Sequence, residues 1–299
     1  MSGNTNQLAK TQRVDSRKSG TLAWKALARR IPLQLRVELK RLLLLPWDGV
    51  DLLFGRRKDL VPSRYYNRFV GDGDFVAVGD EFLKYFVDLG GLLPTHRVLD
   101  VGSGIGRMAR GLTKYLASGS YEGIDIVPQG IDWCRRNVSQ RYPHFRFQHA
   151  DVRNLMYNPR GRFEAAEYQF PFGDADFDFT YLTSVFTHMR KREMEHYLLE
   201  ITRTLRPNGR CLVTHFLLNK ESRALIEDGR SSLEFKYPLD GCWTKDEDVP
   251  ETAIAFDEEY IRKLYHDLGF TVETVRYGSW CGRPEYLSYQ DIAVARRRP

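Results

Sequence analysis

Cysteine is scarce in this sequence and poorly placed for chemistry. The 299 residues hold 4 cysteines, Cys134, Cys211, Cys242 and Cys281, far apart along the chain. No CxxC pair occurs, which weighs against a zinc ribbon or a thiol-redox motif, and no metal site is expected. So few thiols imply a reducing, cytoplasmic setting by default. Long apolar runs are also lacking. The leucine run at residues 42–45 falls far short of the ~20 apolar residues that a membrane-crossing helix needs. Residues 1–10 are polar, so no secretory signal peptide is expected. There is no internal repeat. What is present, 42% hydrophobic and 28% charged residues, is the composition of a soluble globular protein. It excludes a collagen-like or wholly disordered chain. The length suits one large α/β domain with additions, or two small domains.

Acidic residues are thin at the front of the chain. Of 45 Lys/Arg and 39 Asp/Glu, residues 1–70 hold 15 and 5, so they carry +10 while residues 71–299 carry −4. Three readings compete for this segment: a nucleic-acid arm, a contact with an anionic membrane, and a solvated extension. Residues 1–20 read as a disordered polar and basic tail. Residues 21–70 read as a basic amphipathic helical extension. Trp24, Leu27 and Ile31 share one helical face. Pro32 is placed to open a second helix, on which Leu35, Leu39, Leu42 and Leu43 share a face, and Pro46 is placed to end it. Residues 21–45 are therefore the candidate peripheral membrane contact. No aromatic platform or recognition motif accompanies the charge, which weighs against nucleic acid.

Residues 71–299 read as the main domain. From residue 97 strands and helices alternate. Strands are expected at residues 97–101, 121–126, 145–149, 176–182, 211–216, 270–275 and 290–296. Helices are expected at 106–116, 128–138, 191–205 and 257–268, and Pro207-Asn208-Gly209 reads as a turn. Such alternation implies a parallel sheet with helices on both faces.

Between the first strand and the first helix lies Gly102-Ser103-Gly104-Ile105-Gly106. Glycines there let the backbone turn tightly and bring main-chain N–H groups to a ligand. The spacing is G-x-G-x-G, not the G-x-G-x-x-G of dinucleotide-binding folds, which disfavours an NAD-dependent dehydrogenase. Asp100 stands two residues before the first glycine. Its carboxylate would repel a pyrophosphate and suits a ligand that carries an ammonium group.

This loop resembles the cofactor loop of the Rossmann-like (class I) S-adenosylmethionine-dependent methyltransferases, and the resemblance covers roughly residues 90–299. It implies a three-layer α/β fold with a seven-stranded, mostly parallel sheet whose last strand is antiparallel. It implies S-adenosylmethionine as cofactor, its methionine part held by Asp100, Gly102, Ser103, Gly104 and Gly106. The family's ribose-binding acid falls on Asp125, beside Ile126. The acid that contacts the adenine falls on Asp151, beside Val152. Three acids at three successive strand ends are far more specific than any one of them.

The fourth strand runs into Thr183-Ser184-Val185-Phe186-Thr187-His188-Met189. In the family this strand end lies next to the transferred methyl. The Asn/Asp-Pro-Pro-aromatic motif common where bases or glutamine are methylated is absent. His188, with a pKa suited to taking a hydroxyl proton, is the first candidate base. His215, at the end of the fifth strand, is the second. Residues 218–255 are too long for an ordinary connection and form a candidate substrate lid. Trp280, Arg283 and Tyr286, in a turn-rich loop before the last strand, are candidate acceptor contacts, with aromatic faces for a sugar ring. Tyr65 and Tyr66 are placed to shield a sulfonium. The expectation is methyl transfer to oxygen of a small molecule or saccharide. An RNA or protein methyltransferase using the basic arm, and a cofactor-binding protein without turnover, are the alternatives.

Overall fold

The computed structural model describes residues 42–54, 59–67 and 73–299. The tail expected at residues 1–20, and all but the last residues of the helices expected from residue 21, lie outside the described residues. The chain separates into two units, Met1–Arg56 and Arg57–Pro299, so the second starts ahead of residue 71, where the sequence suggested the main domain begins. In the first unit a helix, α1, spans Leu45–Leu53. Pro46, expected to end a helix, stands in the first turn of this one. A first-turn N–H has no partner within the helix, so proline loses nothing there and its fixed φ favours the start.

The second unit is built on five strands in succession: β1 (Arg97–Val101), β2 (Ser120–Asp125), β3 (Phe145–His149), β4 (Phe177–Leu182) and β5 (Leu205–His215). Four short strands follow, β6 (Leu217–Leu218), β7 (Tyr237–Leu239), β8 (Cys242–Thr244) and β9 (Ile254–Asp257), and then β10 (Phe270–Arg276) and β11 (Asp291–Arg297). The main sheet has seven strands in the order β10-β11-β5-β4-β1-β2-β3. β1 to β5 pair in parallel, and β11 runs antiparallel to both neighbours. This is the fold class that the alternation and the resemblance imply.

The helices of this unit are α2 (Arg64–Asn67), α3 (Phe75–Asp88), α4 (Arg107–Tyr115), α5 (Pro128–Cys134), α6 (Lys191–Thr204), α7 (Lys220–Glu227) and α8 (Glu258–Asp267). Successive strand residues point to opposite faces, so β1 feeds two cores. Val98 packs with Phe82, Phe86, Met108, Leu112 and Ile131 from α3, α4 and α5. Leu99 packs with Met194, Leu198, Ile201, Ile261 and Tyr265 from α6 and α8. The sheet is thus covered on both sides, as parallel sheets are.

Several elements depart from the sequence reading. α3 was not expected; Asp74 caps it, accepting from the Val76 and Ala77 N–H groups at 2.9 and 2.7 Å. The Pro207-Asn208-Gly209 turn lies within β5. Pairing with β4 jumps from Phe177↔Leu205 to Phe179↔Arg210, and Asn208, at φ +64°, absorbs the extra residues as a bulge. Residues 218–255, the expected lid, are largely structured. They carry α7 and most of a second sheet, β6-β9-β8-β7, with its own core of Phe216, Leu225, Phe235, Ala255 and Trp280.

Candidate active site

The carboxyl ends of β1, β2 and β4 open on a cavity of about 700 Å³. β1 pairs with β2 on one side and β4 on the other, which makes this the switch point where open α/β sheets bind ligands. Gly102 and Gly104 at its floor, and Gly106 just beyond it, have φ of +87°, +55° and +75°, a region that L side chains avoid. A Cβ on Gly102 would stand 2.3 Å from Val185 Cγ2. The Gly102 and Ser103 N–H groups donate back to the Ile124 carbonyl at 2.8 and 3.0 Å. Asp125 braces the turn: its carboxylate accepts the Gly104 and Val127 N–H groups, each at 2.7 Å. Burial raises the Asp125 pKa, and these N–H groups oppose the shift.

Two buried polar atoms of this cradle have no partner, Asp100 Oδ1 and Ser103 Oγ. The other Asp100 oxygen accepts the phenols of Tyr121 at 2.6 Å and Tyr181 at 2.8 Å. Burial outweighs both and pushes the Asp100 carboxyl up to about 7. A buried carboxylate oxygen without a donor suits a cation with N–H groups. The amino-acid end of S-adenosylmethionine provides one. Asp125 keeps lone pairs for ribose hydroxyls, and Ile126, Val127, Ala150 and Val152 line the cavity as apolar walls for a purine. The residues present fit that cofactor.

A short turn after β4, Phe186–His188, brings His188 to the cavity wall. Its Nδ1 lies 2.8 Å from the Glu251 carbonyl oxygen. A carbonyl only accepts, so Nδ1 carries the proton and Nε2 keeps a free lone pair. Burial lowers the His188 pKa; the Glu251 carbonyl opposes this and the Lys245 charge adds to it. The Tyr157 ring meets the imidazole edge to face at 5.8 Å. Glu251 also ties down the wall that bears Tyr157, since its carboxylate accepts the Leu155 N–H at 2.8 Å.

A family model described as a methyltransferase domain matches residues 98–209, the stretch from β1 through the bulge of β5. Together with the sheet order and the donor set of the cradle, this match supports a class I S-adenosylmethionine-dependent methyltransferase with S-adenosylmethionine as cofactor. Among curated relatives, a phthiotriol/phenolphthiotriol dimycocerosates methyltransferase of Mycobacterium tuberculosis is 32% identical over 126 residues, 41% of this chain and 37% of that protein. A fatty-acid O-methyltransferase of Mycolicibacterium smegmatis is 31% identical over 118 residues, 40% of this chain and 36% of that protein. These matches span well under half the length of either relative. The PH0226 protein of Pyrococcus horikoshii, 16% identical, superposes with a TM-score of 0.52 over 80% of this chain and 100% of that one, a likeness of fold alone.

Within the methyltransferase fold the expected site residues divide. Asp100, Gly102, Ser103, Gly104, Asp125, Ile126, Val152 and His188 line one cavity. Gly106 does not line it; it stands at the start of α4, its N–H donating to the Ser103 carbonyl at 2.9 Å. Asp151 is also off the wall, and its carboxylate is 3.4 Å from Asn158 Nδ2. His215, the second candidate base, is a correction. It is buried away from the cavity, with Nε2 3.2 Å from the Tyr265 hydroxyl, and burial drops its pKa to about 3. The acceptor contacts are corrected too. Trp280 is fully buried, its indole N–H on Asp291 at 2.8 Å. Arg283 is buried between Asp291 and Glu221 at 3.1 and 2.8 Å. Tyr286 is exposed, and none of the three lines the cavity. The lid segment supplies no lining residue and reaches the site through Glu251. Tyr65 and Tyr66 pack edge to face at 5.3 Å and are likewise off the lining.

Other residues take those places. Ser288, Tyr289 and Gln290 line the cavity ahead of β11, and Glu81, Tyr157, Ser184 and Glu193 line it elsewhere. Gln290 Nε2 donates to Ser184 Oγ at 3.0 Å, and Ser184 is held at φ +61°. Glu193 accepts the Arg190 N–H at 2.7 Å at the start of α6, and burial raises its pKa.

Proposed function

We propose that this protein transfers a methyl group from S-adenosylmethionine to the hydroxyl oxygen of a small, largely apolar acceptor, with His188 as general base. The His188–Glu251 hydrogen bond carries this reading. It leaves Nε2 unprotonated, and the lowered pKa keeps the ring neutral near neutral pH. When bound, the cofactor supplies an electrophilic methyl on a sulfonium. Nε2 takes the acceptor hydroxyl's proton as its oxygen becomes nucleophilic, while Nδ1–H stays on the Glu251 carbonyl and steadies the imidazolium. The glycine loop, Asp100 and Asp125 hold the donor, and the enclosing walls exclude water.

Val78, Phe82, Val185, Met189 and Tyr197 on the lining suit a lipid-like or aromatic body. The relatives named for phthiotriol dimycocerosates and for a fatty acid support a lipid-like acceptor. Glu81 and Glu193 favour a hydroxyl over a carboxylate, which they would repel. Of the arginines on the wall, Arg153 is paired with Glu164 at 3.2 Å. With Trp280 and Tyr286 off the lining, little favours a sugar.

Transfer of labelled methyl to a series of long-chain alcohols, phenols and matched fatty acids tests the proposal. Hydroxyl acceptors are expected to turn over, and His188→Ala to lower kcat by roughly 10²–10⁴-fold without changing S-adenosylhomocysteine affinity. Turnover confined to carboxylates, or undiminished in the variant, would overturn it.

A further inference from the structure

Surface helices of soluble proteins turn their polar side to water. α1 does the reverse. Leu45 and Leu53, two helical turns apart on one face, are 48% and 83% exposed, and Trp47 is 59% exposed, while Asp48 is 6% exposed. Leu42 and Leu43, just ahead of the helix, are exposed as well. Elsewhere among the described residues large exposed apolar side chains are mostly scattered, which is ordinary. Here they crowd into a dozen residues.

The flanks of this stretch are basic. Lys40 and Arg41 precede it, Arg56, Arg57 and Lys58 follow it, and residues 1–70 as a whole carry +10. An exposed apolar helix that also bears a tryptophan, with cations in the sequence at both ends and its first-turn acid buried, matches the layered chemistry of an anionic lipid surface, apolar beneath and phosphate above. A second copy of the chain would bring its own +10 to the same place, which disfavours self-association through this face. Among the described residues no helix is long and apolar enough to cross a membrane, so the contact is with the surface. We propose that α1 and its basic flanks dock this protein on anionic phospholipid membranes. The proposal does not depend on which acceptor is methylated.

The test is flotation of the full chain with phosphatidylglycerol-containing vesicles against vesicles of phosphatidylcholine alone, beside a Leu45→Glu/Leu53→Glu variant. The wild type is expected to float with the anionic vesicles only, and less as salt rises. The variant is expected to bind at least about tenfold more weakly, with S-adenosylhomocysteine affinity intact to show that the second unit is folded. No flotation of the wild type would overturn the proposal. Equal flotation of the variant would also overturn it, since charge alone would then suffice. So would a wild-type dimer that becomes monomeric in the variant without any vesicle binding, because a second copy would then cover the face.

Discussion

Tyr181 donates its phenol to Asp100 at 2.8 Å, on the same carboxylate oxygen that already takes Tyr121 at 2.6 Å. Neighbouring strands thus crowd two donors onto one oxygen and leave the other, buried on the cavity, with none. Burial lifts this carboxyl to about 7, yet a bound ammonium needs it ionised. Cofactor affinity should therefore rise with pH between about 5 and about 7 and level off above, as the proton ceases to compete. Calorimetric titration with S-adenosylhomocysteine in buffers of different ionisation heat reads the released proton directly. An affinity flat across that range, with no proton released, would refute the pairing.

The same carboxyl costs the empty protein stability. Its folded pKa lies above the ordinary 3.8, so its favourable contribution is fully present below about 3.8 and is lost as pH rises through about 7. Asp100→Asn keeps the shape and both phenol contacts but cannot ionise. The variant without ligand should melt higher than wild type at about pH 8, with the gap closing towards about pH 4, and should bind S-adenosylhomocysteine more weakly. Thermal melts at the two pH values decide it. This is a site group held at a cost to the fold.

How much of this was legible in the sequence depends on how local the signal was. The glycine loop, Asp100 and Asp125 announce themselves because turn chemistry and a strand end are short-range patterns. The acceptor side is built by long-range packing. Trp280 and Arg283 look like ligand contacts in a loop, yet both close on Asp291 in the core. One signal went unused. The last strand was expected to run antiparallel, so its beginning, not its end, pairs with the carboxyl end of β5, at the same sheet edge as the carboxyl ends of β1 and β4. That places Ser288, Tyr289 and Gln290 at the cavity, a few residues after the loop that was chosen. Glu251 carried no local cue at all, since its link to His188 spans 63 positions.

Gly102 should tolerate no side chain. Its φ of +87° costs an L residue roughly 1–2 kcal/mol, and the added Cβ would press on Val185 Cγ2. Gly102→Ala is expected to weaken S-adenosylhomocysteine binding at least about tenfold, a cost of about 1.4 kcal/mol. Pairing it with Val185→Ala removes the clash but not the dihedral, so binding should recover only in part. Full recovery would place the whole effect in the contact.

Arg283 should matter to stability, not to the acceptor. Asp291 accepts from Gly278 N–H at 2.7 Å, Leu217 N–H at 2.8 Å, Trp280 Nε1–H at 2.8 Å and Arg283 at 3.1 Å. Arg283→Ala removes the cation from a buried carboxylate already pushed up to about 6 by burial. Breaking such a pair costs about 3–5 kcal/mol. Chemical denaturation should show that loss, while the acceptor KM of the folded fraction stays unchanged. A raised KM at unchanged stability would return Arg283 to the acceptor site.

The base itself can be identified by its pH dependence. Burial and the Lys245 charge both lower the His188 pKa from 6.5, so a reaction that needs the neutral ring should lose rate only as pH falls below about 6.5. Lys245 is exposed, so Lys245→Ala should leave the fold intact. Without that positive charge the imidazolium is easier to form, so the pKa rises and the acidic limb of kcat moves to higher pH. The shift should be small and should shrink in high salt. It depends on the titrating group being His188. A limb that stays fixed when Lys245 is removed would assign the proton transfer to another residue, and Glu193, across the same cavity, would be the next to replace.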